Sequence, residues 1–288
     1  MLDFGPREDE QLCDAIRSRD MLATKRATEE LQAKHPSAGL SYAAKIAIDE
    51  RNIEALEYLL DRSEVNQDVA YAAAASEDRR VVRIMLDHGW DVNRSLGGGS
   101  IPSMLRYLPA HISMSRLLTV SSLAVCNHNF LDWLLASGAD PNAISDLNET
   151  ALSLAILEGT MNAVNRLFGL RMMDTSRGDL LHCAVRREES EDTVELIDKL
   201  VLEKGARVDA YEFDNDTAYQ MRYGYRLSTA LHIACRTENT AAVKALLRHG
   251  ARVDQLMKQC DELIQPTPLE LTSDKPALRA VLLASIGR

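Results

Sequence analysis

The stretch "STALHIACRTENTAAVKALLRHGARVD", residues 228–254, decides the fold because it contains two short helices and the signals that end them. Apolar residues from Leu231 onward start the first helix, and the polar segment 237–239 ends it. Apolar residues in segment 242–247 recur at helical spacing and predict a second, amphipathic helix. Gly250 suits the left-handed conformation just past a helix C-terminus. The unit is therefore helix, tight turn, helix, glycine and loop.

The same unit recurs along the chain. Similar layouts occur in "YAAKIAIDERNIEALEYLL" (42–60), "DVAYAAAASEDRRVVRIML" (68–86) and "TALSLAILEGTMNAVNRLF" (150–168), and the end of the unit returns at 130–143 and 200–210. The apolar pairs that close each second helix end at Leu60, Leu86, Leu135, Phe168, Leu202, Leu247 and Leu283. Their spacings of 26, 49, 33, 34, 45 and 36 residues predict a repeat array that carries insertions.

Composition agrees with a stack of thin helical layers. One helix pair cannot bury its apolar face alone, so neighbouring pairs must cover each other. The chain is 46% hydrophobic with only 5% aromatic residues, which favours small aliphatic contacts between helices. The terminal units should be atypical, because each has one face without a neighbour. Pro276 is placed at the start of the last helix, where proline is tolerated.

Three passages carry a resemblance to a known family. "TALHIACRTENTAAVKALLRHGARVD", "LLHCAVR" and "LLASGADPNA" resemble ankyrin repeats, and the likeness extends over about residues 8–285. Thr229 and His232 match the family's Thr-Pro-Leu-His opening, and His182 matches the same histidine, which orients the neighbouring loop by hydrogen bonding. The resemblance implies an all-α, ankyrin-type helix-turn-helix repeat solenoid of about seven to eight repeats, with two insertions and atypical terminal caps.

The repeat register also predicts how the chain is organised. It indicates one solenoid over 1–288 with insertions near 95–120 and 211–228. The predicted parts are an N-terminal cap at 7–36, repeats at 40–94, a repeat with insertion at 95–143, repeats at 146–175 and 176–210, a repeat with a Tyr-rich insertion at 211–254, and a C-terminal cap at 265–288.

Charge and motifs narrow the classes of function. The net charge of -10 argues against a general nucleic-acid surface. The sequence shows neither an apolar signal core nor a long apolar stretch, which predicts no membrane contact. We expect a monomer, located in the cytoplasm or alternatively in the nucleus. Five cysteines without paired spacing predict reduced, buried thiols. No phosphate loop, zinc-protease motif or catalytic constellation is found, so we predict no cofactor, metal or catalytic residue.

The candidate site follows from the second insertion, which holds five of the chain's fourteen aromatic residues. Tyr and Arg are common interface anchors, although the rings could also simply pack the insertion down. In a solenoid, the loops and the exposed ends of the first helices line one side, and we expect the insertion to bring its tyrosines near Arg186 and Arg236 there. The predicted partner-binding residues are His128, Leu147, Asn148, Glu149, Arg186, Arg187, Tyr219, Tyr223, Tyr225, Arg226, Arg236 and Thr237.

Three functions remain open at this point. The resemblance implies a protein-interaction scaffold or adaptor that binds another protein through a concave groove of first helices and finger loops. Arginines beside tyrosines suit an acidic peptide segment as the bound partner. The alternatives are a small-ligand-binding protein or enzyme, with a pocket formed by the insertions over the groove, and a regulatory subunit or inhibitor of another protein.

Overall fold

A computed structural model of the chain describes residues 6–36, 39–94, 128–144, 148–187, 190–213, 219–220 and 222–286. These residues form two compact units, one up to Asp140 and the other from Pro141 onward. The predicted first insertion, 95–120, lies outside the described residues. A single solenoid over the whole chain therefore remains a prediction.

The first unit consists of paired helices joined by tight turns. Its helices are α1 (Pro6–Arg17), α2 (Met21–Lys34), α3 (Ser41–Asp49), α4 (Ile53–Leu60), α5 (Gln67–Ala75), α6 (Arg79–Asp87) and α7 (His128–Ala136). The first helices of successive pairs, α1, α3 and α5, pack side by side. The second helices, α2, α4 and α6, form a layer behind them in the same order.

The second unit repeats this arrangement and adds a small hairpin. Its elements are α8 (Ala151–Glu158), α9 (Met161–Phe168), α10 (Leu180–Val185), α11 (Glu191–Leu202), α12 (Ala230–Arg236), α13 (Thr240–Arg248), β1 (Met257–Gln259), β2 (Glu262–Ile264), a 3-10 turn (Glu270–Thr272) and α14 (Pro276–Ile286). The short helices α8, α10 and α12 pack in sequence, and α11, α13 and α14 pack behind them. The predicted all-α repeat architecture is confirmed, and β1 and β2 are the only strands in the described part of the chain.

The core lies between the two layers and is made of small aliphatic side chains. In α13, Leu246 is completely buried, whereas Leu247 is only half-buried. The sequence register was wrong in α11, because Leu202 is 72% exposed and Leu200 fills the core position instead. Leu202 lies two residues beyond the last buried position of the helix, so its side chain is exposed to solvent.

The turns within helix pairs repeat one backbone conformation. The residue directly before the N-cap of the second helix has a positive φ at Arg19, Arg51, Glu77 and Glu238, with values between 51° and 58°. This left-handed step turns the chain back in two or three residues, and it is unusual for side chains other than glycine. Glycines take the same region after the second helix, and Gly250 has a φ of 83° as its position predicted.

Asparagines that cap second helices also tie neighbouring pairs together. Asn52 accepts a hydrogen bond from the Ala55 amide at 3.2 Å and donates to the Ile16 carbonyl at 3.0 Å. Asn239 caps α13 in the same way and donates to the Arg187 carbonyl at 3.3 Å. One side chain therefore satisfies a helix end and fixes the position of the preceding turn.

Loops at the far end of the helix pairs are linked by a second recurring bond. In each case a side-chain oxygen in one loop accepts from a backbone amide in the next loop. The pairs are Asn93 with Asp140 at 2.6 Å, Asn142 with Asp174 at 2.7 Å, and Asp209 with Arg252 at 2.9 Å. These hydrogen bonds therefore fix the positions of successive loops within each unit, so the loops can present side chains on one ordered surface.

His182 bonds the neighbouring loop as expected, whereas His232 bonds the first residue of its own repeat, and the cysteine prediction holds only in part. His182 Nε2 lies 3.0 Å from the Ala210 carbonyl in the next loop, and His232 Nδ1 lies 2.8 Å from the Thr229 hydroxyl. Cys235 is buried as predicted, whereas Cys260 is exposed because it occupies the tip of the β1–β2 hairpin. Within the described ranges, no helix is long and apolar enough to cross a membrane, and no cluster of acidic, His or Cys side chains could hold a metal ion.

Candidate functional site

The Tyr-rich insertion is fastened to the β1–β2 hairpin by backbone and side-chain bonds. The Leu227 amide donates to the Lys258 carbonyl at 2.7 Å, and the Lys258 amide donates back at 3.1 Å. The Tyr211 hydroxyl donates to the Leu256 carbonyl at 2.7 Å. The insertion and the hairpin therefore form one surface at the loop end of the second unit.

Tyr219 is held at the centre of this surface. Its hydroxyl donates to the Asp261 carboxylate at 2.5 Å and accepts from the Asp261 amide at 3.1 Å. Lys258 Nζ lies 4.3 Å from the Tyr219 ring centroid, and the Tyr223 ring packs edge-on at 5.8 Å. The hydrogen bond from Tyr219 lowers the pKa of Asp261. These contacts fix the ring's orientation, so less side-chain entropy is lost when a partner binds.

A second aromatic group lies beside the first. The Arg222 guanidinium lies 5.1 Å from the Tyr225 ring centroid and 5.2 Å from the Phe213 centroid. Tyr223 and Tyr225 remain 42% and 49% exposed. We call this group the tyrosine surface, and it comprises Tyr219, Arg222, Tyr223, Tyr225, Arg226 and Lys258. It combines oriented rings with positive charge, an arrangement suited to recognition.

Arg186 does not join the tyrosine surface, because it is paired with Glu212. The Arg186 guanidinium donates to the Glu212 carboxylate, whose side chain is only 8% exposed, and to the His182 carbonyl at 3.3 Å. Glu212 also accepts from the Ser228 amide at 3.2 Å. Burial acts to lower the pKa of Arg186, but the Glu212 carboxylate raises it overall. The insertion therefore reaches Arg186 through Glu212, and the role of Arg186 in partner binding stays a prediction.

Arg187 is also bound within the scaffold. Its guanidinium donates to the Ile156 carbonyl, to the Gly159 carbonyl at 3.2 Å, and to the Ala155 carbonyl at 3.4 Å. These carbonyls lie at the C-terminal end of α8, where backbone acceptors lack helical partners. The contacts give Arg187 a structural role in joining two repeats.

The remaining predicted residues lie in several places. Arg236 and Thr237 are exposed at the end of α12, and the Thr237 hydroxyl donates to the Ile233 carbonyl at 3.0 Å. Asn148 has a φ of 64° and Glu149 is half-buried just before α8. Leu147 and the side chain of His128 lie outside the described residues. Of the predicted set, the structure brings Tyr219 and Tyr223 into direct contact.

A half-buried acid that the sequence did not suggest contacts the start of the insertion. Asp179 precedes α10 with a φ of 49°, and its carboxylate accepts from the Phe213 amide at 2.9 Å. Burial raises the pKa of Asp179 to about 6. The residue forms part of the wall of a cleft of about 580 Å³, which also includes Arg177, Lys204 and Arg207. The one feature of the sequence that could have pointed to this residue is that Asp179 occupies the N-cap position where Thr150 and Thr229 stand in other repeats.

Replacing Asp179 with Asn should stabilise the chain at neutral pH. A carboxyl whose pKa is raised on folding binds more protons in the folded state, so its contribution to stability falls as pH rises from about 4 to about 6. Asn keeps the acceptor and tolerates the left-handed conformation. We expect Asp179→Asn to raise the free energy of unfolding at pH 7.5 by about 1–2 kcal/mol, because partial solvent access reduces the full linkage value.

The pH dependence separates this effect from a general change in packing. Urea unfolding of both chains at pH 4, 5, 6 and 7.5 should show the gain shrinking toward zero near pH 4. His182, whose pKa burial lowers to about 4, opposes this trend equally in both chains and cancels in the difference. A gain that is equal at every pH would contradict the ionisation argument.

Stacked helix hairpins, whose loops are joined by hydrogen bonds, define a helical repeat protein. In this chain the loops of the second unit carry the candidate site. Residues 227–258, which span α12, α13 and the start of the hairpin, match the family model "Ankyrin repeat". The predicted resemblance is therefore confirmed over these residues, which are the segment from which the repeat pattern was first derived.

Comparisons with curated proteins and with solved structures give no further information about function. No curated protein matches the chain. Among solved structures, one match is the ankyrin repeat domain of Bcl-3, described as a unique member of the IkappaB protein family. It is 18% identical, covers 95% of this chain and 97% of its own, and gives a TM-score of 0.41. At that TM-score and identity, the likeness carries no argument about function.

Proposed function

We propose that the chain is a protein-interaction module that binds a partner through the tyrosine surface. Ankyrin repeat domains are generally protein-interaction modules, and residues 227–258 are such a repeat. The observation that supports this particular surface is that Tyr223 and Tyr225 stay about half exposed although their neighbours are fixed by hydrogen bonds and ring contacts. Exposed aromatic side chains on an ordered support are typical of binding sites.

The charge of the tyrosine surface favours an acidic partner segment. Lys258 is paired with Asp261 at 3.4 Å, and Arg226 adds a further positive charge beside it. Arg226 is exposed and makes no ion pair with any residue that the structure describes. The chain as a whole carries a net charge of -10, so long-range attraction is weak and affinity depends on close contacts.

A double substitution tests the proposal. Tyr223→Ala with Arg226→Ala should lower partner affinity at least tenfold, since it removes an aromatic anchor and an unpaired cation. Because both side chains are exposed, the melting temperature should stay within about 2 °C of the parent value. Partners captured by the parent chain are identified by mass spectrometry, and the affinity of each purified partner is then measured by calorimetry for the parent and the variant.

Tyr42→Ala is the matched control. Tyr42 is 58% exposed and belongs to the first unit, so its loss should leave affinity unchanged. Equal affinity of the parent chain and the double variant would remove the tyrosine surface as the binding site. A loss caused by the Tyr42 control alone would move the site to the first unit.

A further inference from the structure

Two histidines occupy equivalent places at the ends of second helices. His88 and His249 each lie directly before the glycine that follows a second helix. His88 Nε2 lies 3.1 Å from the carboxylate of Asp61 in the first unit, and His249 Nε2 lies 2.6 Å from the carboxylate of Asp198 in the second. Each aspartate belongs to the preceding second helix or its C-cap, so each contact joins two neighbouring helix pairs.

His88 faces an oxygen atom at each ring nitrogen. Its Nδ1 lies 2.7 Å from the Ile84 carbonyl of its own helix, while Nε2 faces Asp61. Carbonyl and carboxylate oxygens only accept hydrogen bonds, so each nitrogen must carry a proton for both bonds to form. A neutral imidazole carries one proton, and both bonds therefore require the charged ring. His249 has one acceptor among the described residues, to which a neutral ring can already donate.

The surroundings of His88 favour its charged form. Burial acts to lower the pKa of His88, but the Ile84 carbonyl and two carboxylates raise it overall from the ordinary value of 6.5. The two carboxylates are those of Asp61, at the end of α4, and Asp87, on the same helix as His88. The remaining acids of α4 and α5, the helices that pack against α6, are exposed, and they are Glu54, Glu57 and Asp68. Asp61 bonds the ring directly, so it links the charge of His88 to the neighbouring helix pair.

We propose that the bond between His88 and Asp61 is a pH-sensitive link between two helix pairs of the first unit, complete when the ring is charged and weakened when the ring is neutral. The link joins the ends of α4 and α6, which pack against each other. It lies in the first unit, so it does not depend on the tyrosine surface. The proton is the effector, because it adds the donor that the second bond needs.

The direction of the effect follows from the pKa of His88. A histidine whose pKa is raised on folding stabilises the folded state fully below about pH 6.5, and this contribution is lost as pH rises through the higher folded value. When the ring loses one proton, Nδ1, which has the shorter bond, keeps the other, and the Nε2 lone pair then faces the Asp61 carboxylate. The end of α6 should therefore be held more firmly in mildly acidic solution than above neutral pH.

Asp61→Asn tests the link in the full chain. It removes the negative charge and keeps an acceptor, and the Asp61 side chain is 65% exposed, so the variant should fold. Glu57→Gln is the matched control, because it removes another exposed acid of α4, none of whose described contacts is with His88. The first readout is an NMR titration of the His88 ring, assigned from the signal that His88→Gln removes. We expect its midpoint to fall by roughly half a pH unit in Asp61→Asn and to stay unchanged in Glu57→Gln.

Hydrogen exchange at the end of α6 is the second readout, and it measures the link and not only the charge of the ring. Parent and variant are compared at the same pH, so the intrinsic exchange rate cancels. At pH 6 the amides of residues 84–89 should exchange about threefold faster in Asp61→Asn than in the parent, whereas at pH 8.5 the two rates should agree. Glu57→Gln should follow the parent at both pH values.

Three results would overturn the link. They are a titration midpoint that Asp61→Asn leaves unchanged, an exchange difference of equal size at pH 6 and pH 8.5, and a fall in midpoint that is as large in the control as in Asp61→Asn. The last result would mean that the general negative charge of α4, and not the bond to Asp61, favours the charged ring.

Discussion

Leu246→Ala should lower the free energy of unfolding by roughly 2–5 kcal/mol, the range for leucine truncation in a packed core. Leu246 is completely buried in α13, which packs between α11 and α14 and against α12. Truncation leaves a cavity where α13 packs against these three neighbouring helices. Urea unfolding followed by circular dichroism measures the loss.

Leu202→Ala provides the control within the same layer. Leu202 is 72% exposed at the end of α11, so its truncation should change the free energy of unfolding by less than about half a kcal/mol. Similar losses for the two variants would show that the repeat register is wrong in α13 as well as in α11.

Arg186→Ala should destabilise the chain by roughly 3 kcal/mol, because it leaves the Glu212 carboxylate buried without its partner. The Glu212 side chain is 8% exposed and would keep only the Ser228 amide as a donor. Thermal melting at pH 7.5 measures the loss, and an unchanged melting temperature would contradict it.

A double-mutant cycle identifies the source of the loss. Glu212→Gln removes the negative charge and keeps an acceptor, so adding it to Arg186→Ala should restore at least 1 kcal/mol. The Asp179→Asn variant serves as a neighbouring charge control, since Asp179 lies close but does not form the ion pair. If the changes in the free energy of unfolding caused by Arg186→Ala and Glu212→Gln simply add, the two side chains have no measurable interaction energy.

Much of the fold could be predicted because the repeat encodes it several times. The hairpin over 228–254 and the glycine at Gly250 have the roles that their spacing predicted, and His182 has the role that the resemblance implied. Short-range patterns determine these features, since helix period, caps and turn residues act within a few positions. The same logic placed the start of the last helix at Pro276.

The site was only partly predictable because its contacts join distant segments. Composition singled out the tyrosines of the insertion, but the hairpin residues Lys258 and Asp261 that orient Tyr219 lie about forty positions away. Glu212 was equally hidden, because its pairing with Arg186 depends on how the insertion starts and not on any local pattern. A sequence shows which side chains are available, whereas the packing of the insertion decides which of them remain unpaired.

The left-handed turns carry a consequence for cooperativity. Arg19, Arg51 and Glu77 hold a conformation that costs roughly 1 kcal/mol each for a residue with a side chain, so an isolated helix pair from the first unit is intrinsically weak. In a linear array, stability is the sum of such internal terms and the coupling between neighbours. When each helix pair is unstable by itself and is stabilised mainly by contacts with its neighbours, one pair cannot unfold without the others. The first unit should therefore unfold as a block and resist fraying from its ends.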